Sequence, residues 1–345
     1  MCLGVDGKLH TNVFCPVNVS SQPLGTLPDM QTTEKVVEFL GRKHETPFFL
    51  AVGLHKPHIP HKFPAEFLSY HPLDSIKLAE NSERPSKLPT VSWNPYKSLR
   101  KREDVAASDP GWPWGPMGDD MARLIKQGYY SAVTYMDSLV GEIVSHIDNN
   151  TLIVLFGDHG WSLGEHGEWT KMSNFEEVVR VPFILVPPAN IGTPKIKDID
   201  NIISLVDLFP SLVDLVGLPH LDPCEHGQSS STLLCTEGKS FVPLLTGKVD
   251  NWTEVSFSQY PRPSIFPRWD SDLPKERDIR FMGYSVRWKS VGYSAGWRCT
   301  VWMGFRALPR PQADLSNIAG IELYNHDVDP KENNNVAKDK KKLVS

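Results

Sequence analysis

The sequence predicts an α/β fold: a mostly parallel sheet flanked by helices, with a smaller antiparallel subdomain towards the C-terminal end. Three observations carry this expectation. Phe48–Val52 and Leu152–Phe156 are short, unbroken apolar runs of the kind that form strands buried on both faces of a parallel sheet. Between them, residues 117–147 repeat apolar side chains at helical spacing, which completes a strand, helix, strand order. After Cys235 the pattern changes to short alternating segments divided by Gly, Pro and Asp, the signature of antiparallel strands.

Taken in order, residues 1–30 hold Cys2, Cys15, Pro28 and many turn residues without a period, so they read as a stapled loop. Gln31–Lys43 places Val36, Val37, Phe39 and Leu40 in an apolar stripe against charged neighbours and reads as a helix. The Phe48–Val52 strand then delivers His55 and His58 to its C-terminal end, which is the edge where open α/β sheets hold ligands. Residues 60–116 are rich in Pro and aromatics, including His61, Trp93, Trp112 and Trp114, and read as a long packed insertion, either a substrate rim or plain surface covering. The helix over 117–147 buries Met121, Ile125, Ala132, Leu139 and Ile143 on one face, with Asp119 or Asp120 as its cap. Val181–Val186 reads as a further strand, and Ile202–Val216 as a buried helix kinked or started at Pro210. Strands are expected at Glu254–Gln259, Arg280–Trp288, Thr300–Phe305 and Glu322–Tyr324. The boundary falls between 220 and 250, dividing the chain into 1–235 and 236–345.

At 345 residues and 40% apolar the chain builds a sizeable core, and a net charge of −5 argues against nucleic acid as a partner. The one dense basic run, Lys338–Lys342, reads as a solvated tail. No segment reaches the ~18 consecutive apolar residues that span a bilayer, so no membrane insertion is expected. Of five cysteines, four form two local pairs, Cys2 with Cys15 and Cys224 with Cys235, each in a turn-rich stretch that suits a disulfide. Sequons at Asn18, Asn149 and Asn251 point the same way, to glycosylation on a secretory route, and Cys299 is left as a buried free thiol. The opening Met-Cys-Leu-Gly-Val-Asp has no apolar leader, so the expectation is a chain that begins late.

The chemistry concentrates at Thr151–Lys171. Gly157 breaks the strand, and Asp158 and His159 follow at once, a hard anionic oxygen beside an imidazole nitrogen. Such a pair suits a divalent cation; alone it is as well explained as turn chemistry. The full pattern GDHGWSLGEHGEW followed by Lys171 resembles the sulfatase branch of the alkaline phosphatase superfamily. PFFLAVGLHKPHIP at 47–60, SLVDLFPSLVDLVGL at 204–218, SQYPRPS at 258–264, MGYSVR at 282–287 and ELYNHDVDP at 322–330 extend the resemblance over nearly the whole chain. It departs at 289–299, where KSVGYSAGWRC is longer than the family's hairpin.

The resemblance implies hydrolysis of a sulfate ester, with 2-O-sulfated iduronate of heparan and dermatan sulfate as substrate and a lysosomal or secretory location. It implies that His55 contacts the sulfate and protonates the leaving alcohol, that Lys171 pairs with sulfate oxygens, and that Trp161 lines the sugar pocket. Asp158 and His159 become ligands of one Ca2+ site, of which half the protein ligands are present, while His326 and Asp327 are structural. Sulfatases use a formylglycine made from Cys in a Cys-x-Pro-x-Arg motif and an early pair of aspartates; none of the five cysteines begins that motif. The sheet is therefore expected to be incomplete at the N-terminus and the chain as given to lack turnover. A phosphodiesterase or phosphonate hydrolase of the same superfamily, and a non-catalytic fragment binding sulfated glycans, remain the alternatives. The oligomeric state is open.

Overall fold

The computed structural model describes residues 2–3, 7–85, 87–108, 110–189, 198–225, 234–247, 252–289 and 294–340. The first strands, β1 (Cys2–Leu3) and β2 (Leu9–His10), pair antiparallel. The stretch expected to be only a loop also forms β3 (Phe14–Val17), whose Cys15 and Val17 point into the core. Helix α1 (Pro28–Leu40) begins three residues before the predicted Gln31, because a proline at the first helical position needs no hydrogen-bond partner for its nitrogen. Both disulfides form, Cys2–Cys15 with Cα atoms 5.7 Å apart and Cys224–Cys235 at 4.9 Å. Asn18 and Asn149 are exposed, and Asn251 lies outside the described residues.

Residues 48–52 do not form the expected buried strand. They carry no ladder among the described residues, and Phe49 is 83% exposed. An apolar run becomes a buried strand only when neighbours pair its backbone and cover its faces. The long insertion proves to be core. After β4 (His61–Pro64), which runs parallel to β3, the short helices α2 (Lys97–Arg100) and α3 (Glu103–Ala106) bury Tyr96, Leu99 and Val105 beside Trp93. Arg100 donates to the carbonyls of Pro95, Pro110, Gly111 and Gly115, which ties this irregular chain together without a ladder.

Helix α4 (Asp119–Ser145) matches the periodicity, with Ala122, Ile125, Ala132, Leu139 and Ile143 inward. Gly118, not an aspartate, is the cap residue. Asp119 and Asp120 sit in the first turn, where carboxylates favour the helix dipole, and reach Arg123 at 3.9 and 3.8 Å. The motif stretch then supplies β5 (Ile153–Phe156), a two-rung hairpin of β6 (Ser162–Leu163) and β7 (Trp169–Thr170), helix α5 (Glu176–Val179) and β8 (Phe183–Val186). Strand β5 pairs β8 antiparallel. The α/β character stands, but among the described residues the parallel order rests on β3 and β4 and one isolated bridge between Pro223 and Thr236. Phe156, Ile184 and Val186 are exposed, so this pair is not covered on both faces.

Helix α6 (Leu208–Leu215) starts as expected near Pro210, behind a capping box in which Ser204 and Asp207 satisfy each other's backbone amides. It is not buried all round, since Phe209 is exposed. After α7 (Val242–Thr246) comes the expected antiparallel sheet, as β9 (Val255–Arg262), β10 (Phe281–Trp288), β11 (Trp297–Arg306) and β12 (Gln312–Asn325), each strand pairing the next in sequence. Cys299 is free and buried, and burial pushes its thiol up to about 11. Gly320 lets β12 approach the insertion; a Cβ there would lie 2.5 Å from the Pro89 Cβ.

A buried charge network fastens this sheet to the rest. Arg298, 1% exposed, donates to both oxygens of Glu332 at 2.5 and 2.8 Å and to Thr300 at 2.7 Å. Glu322 accepts from Trp302 at 2.7 Å and Tyr324 at 2.9 Å. Glu332 also accepts from His326 and from the Glu176 backbone amide of α5. Burial alone would raise the Glu332 carboxyl, but Arg298 and His326 outweigh it and hold it at about 2. His326 is therefore structural, as expected. Asp327 accepts from Ser294 and Ala295 and closes the turn before β11. No helix among the described residues is long and apolar enough to cross a membrane.

Candidate active site

Where β5 ends, Gly157 turns the chain and its amide bonds the Pro182 carbonyl, leaving Asp158 free of the ladder and 85% exposed. His159 follows with its ring fixed on both sides. Nδ1 lies 2.8 Å from the Gly160 carbonyl and must carry the proton there, so Nε2 is the acceptor that meets the Lys171 ammonium at 2.6 Å. Asp158 stands 3.5 Å from the same Nε2. Lys171 is brought back to this point by the β6–β7 hairpin, just after Thr170, which has positive φ. Asp158, His159 and Lys171 line a cleft of about 1520 Å³ together with Glu176, Glu177 and Arg287.

His55 is delivered by different means. Asp29, buried at the start of α1, accepts from the backbone amides of His55 and Lys56 at 2.7 and 3.0 Å, so a helix carboxylate shapes the turn after residues 48–52. The His55 ring lies 4.8 Å from that of His58, and its nitrogens carry no hydrogen bond among the described residues. His55 is not among the residues lining the cleft. His58 links it to the other three: burial lowers the His58 pKa, and Lys171, Lys56 and His159 act in the same direction across space. Burial likewise lowers His55, followed by Lys56 and His58. Lys56, pushed down to about 8 by burial, donates to the carbonyls of His58 and Pro60 and locks the turn.

Neither His58 nor Lys56 has a role that the sequence alone assigns. The one signal for His58 is that of a second histidine three residues after the first in a proline-bounded turn. Trp161 is half-buried, its ring 6.5 Å from His159 and 6.3 Å from Tyr129, so it bridges site and core; it does not line the cleft. His166 stacks on Phe175 at 4.0 Å and donates to the Lys331 carbonyl, a packing role.

Among the described residues two places offer metal donors. Asp158 fits a hard cation, since its carboxylate is exposed. His159 does not in this arrangement, because one nitrogen carries a proton towards Gly160 and the other accepts from Lys171. The second place, Glu176, His326 and Glu332, gathers three donor atoms within 4.8 Å. There the Arg298 guanidinium already occupies both Glu332 oxygens, which makes it an ion-pair cluster.

A mixed α/β scaffold thus presents an Asp-His pair where β5 ends, with a lysine hydrogen-bonded to the histidine. In structure the chain is similar to a phosphonate monoester hydrolase from Silicibacter pomeroyi, with a TM-score of 0.64 at 19% identity, covering 99% of this chain and 61% of that one. The sulfatase family model matches residues 7–218. The chain belongs to the sulfatase family, a family of sulfuric ester hydrolases. It is 40% identical to iduronate 2-sulfatase of Mus musculus over 98% of its length, and 40% identical to iduronate 2-sulfatase of Homo sapiens over the same share. The chain spans 67% of the length of these two relatives.

Proposed function

We propose that the cleft receives the 2-O-sulfate of iduronate in a glycosaminoglycan such as heparan or dermatan sulfate, with Lys171 on the sulfate oxygens and His55 as donor of the proton to the departing alcohol. The observation that carries this reading is the Lys171 ammonium, 2.6 Å from His159 and acting on His58 beside His55. An arriving sulfate offers that ammonium a charged acceptor in place of a neutral ring nitrogen. Lysine at this position counters charge that grows on the sulfate as the S–O bond breaks. A lowered pKa makes the His55 imidazolium a stronger acid, which suits protonation of a leaving alcohol. Trp161, which stands behind His159 and not in the cleft wall, would act on the sugar only through that histidine, and Asp158 would supply a carboxylate oxygen to Ca2+. One carboxylate is a small part of the six to eight oxygens that ion takes.

Two disulfides and exposed sequons at Asn18 and Asn149 support a lysosomal or secretory setting. In this reading the chain divides into 1–235 and 236–345. Because the 345 residues contain no Cys-x-Pro-x-Arg motif, the test reads binding before turnover. Titration with a 2-O-sulfated iduronate disaccharide is expected to give saturable binding that Lys171→Ala weakens at least about tenfold. Equal affinity of the Lys171→Ala protein, or equal affinity for the desulfated disaccharide, refutes the reading.

A further inference from the structure

A second cavity, of about 470 Å³, opens between α4 and the motif loop. Its wall includes Lys126 and Tyr130 of α4, Glu165 and Glu177 of the motif region, and Asn81 and Lys331. Glu177 also lines the cleft of Asp158, His159 and Lys171, so the two spaces share a wall.

Lys126 is the unusual member. Its side chain is 5% exposed, yet among the described residues its ammonium has no hydrogen bond and no ion pair, only the face of Tyr130 at 5.9 Å. Glu165 is its nearest electrostatic influence, but one Glu165 oxygen is committed to the Leu163 amide at 2.6 Å. A lysine side chain buried to this degree without a partner is costly, and a cavity before its ammonium lets an anion from outside supply the missing charge. Glu177 has the complementary property: Oε2 is buried without a partner among the described residues, and burial pushes the carboxyl up to about 7.

We propose that this cavity is a second carbohydrate subsite, taking an acidic sugar unit with its carboxylate on Lys126 and its hydroxyls on Glu165 and Glu177. A dianion such as phosphate fits poorly, because Glu80, Glu165 and Glu177 share the wall. A uronate suits it: one negative charge for the Lys126 ammonium, hydroxyls for the carboxyl oxygens, and an apolar ring face for Tyr130. Glu177 lines both spaces, so the cavity adjoins the cleft and one oligosaccharide would reach both. This inference rests on the glycan reading above only for the identity of the chain that bridges them.

The probe is an unsulfated, glucuronate-containing tetrasaccharide, which has no sulfate for the cleft, titrated into the full chain by calorimetry beside its carboxyl-reduced counterpart. Lys126→Met is expected to weaken binding about tenfold, the loss of one charge-assisted hydrogen bond, whereas Lys126→Arg stays within about threefold of the original. Lys171→Ala is expected to leave this probe unaffected. Unchanged binding by the folded Lys126→Met protein overturns the proposal, as does equal affinity for the carboxyl-reduced sugar. Loss of the probe in Lys171→Ala also overturns it, since the probe then sits in the cleft. If the sulfated disaccharide fails to bind while the tetrasaccharide still depends on Lys126, the second subsite stands and the functional reading falls.

Discussion

The β9–β12 sheet and the β5–β8 pair treat their surroundings in opposite ways. The sheet hides charge and completes it: Arg298, Glu322 and Glu332 are buried with partners from strands, turn and α5. The β5–β8 pair exposes apolar side chains, Phe156, Ile184 and Val186, and holds its functional groups in a few hydrogen bonds at one end. One region spends its polar groups on fastening, and the other leaves Asp158 available to a ligand. Stability and site are thus carried by different parts of the chain and respond to different substitutions.

The largest expected effect tests the fastening. Arg298→Met removes the cation from Glu332 and Glu322, and two buried carboxylates without it destabilise the protein by about 3–5 kcal/mol in urea unfolding. A loss below about 1 kcal/mol would show that the network is not what holds the sheet. The next uses pH. Burial pushes Glu168 up to about 8, its Oε1 bonded to the Asn94 amide and its Oε2 without a partner among the described residues. Unfolded, this glutamate gives up its proton near 4.5, so its contribution is fully present below 4.5 and is lost as pH rises to about 8. Glu332, held at about 2, has the opposite sign: its contribution is present above 4.5 and lost as pH falls through about 2. Thermal melts of Glu168→Gln from pH 5 to 8 are expected to lose about 2–4 kcal/mol of pH dependence. An unchanged slope would remove Glu168 from the account.

A smaller effect separates the site from the scaffold. Asp29→Asn weakens the carboxylate's hold on the His55 and Lys56 amides, at about 1–2 kcal/mol, and is expected to lower affinity for the sulfated disaccharide. Stability lost with affinity intact would mean the turn does not position His55. The smallest belongs to the exposed pair. Ile184→Thr on β8 is expected to change stability by less than about 0.5 kcal/mol while reducing self-association in sedimentation; a large destabilisation would show that its face is covered in solution.

Local signals survived from sequence to structure better than pairing did. Periodicity located α4 within two residues at each end, Pro210 marked the start of α6, and alternation found all four strands of the C-terminal sheet. Both cysteine pairs were legible because each closes a short loop. Parallel order was not, since an apolar run records burial tendency and not its partner: Phe48–Val52 has no ladder, and Leu155 faces Ile184 antiparallel. At the site, Asp158, His159 and Lys171 stood in one motif and are together. His58 was passed over because its contribution lies in what it touches across the fold, which no spacing records.

The order of the C-terminal sheet also bears on time. Each of its strands bonds the next in sequence, so every ladder closes by a local loop, and hairpins of this kind zip in about 1–10 μs. Strand β3 must find β4 across the whole of α1 and the His55 turn, a distant pairing that waits on the collapse of the chain between them. Once Glu332 folds back onto Arg298, the meander gains a buried ion pair that its own hairpins do not contain. In refolding, the sheet that fastens the molecule is expected to pair before β3 meets β4.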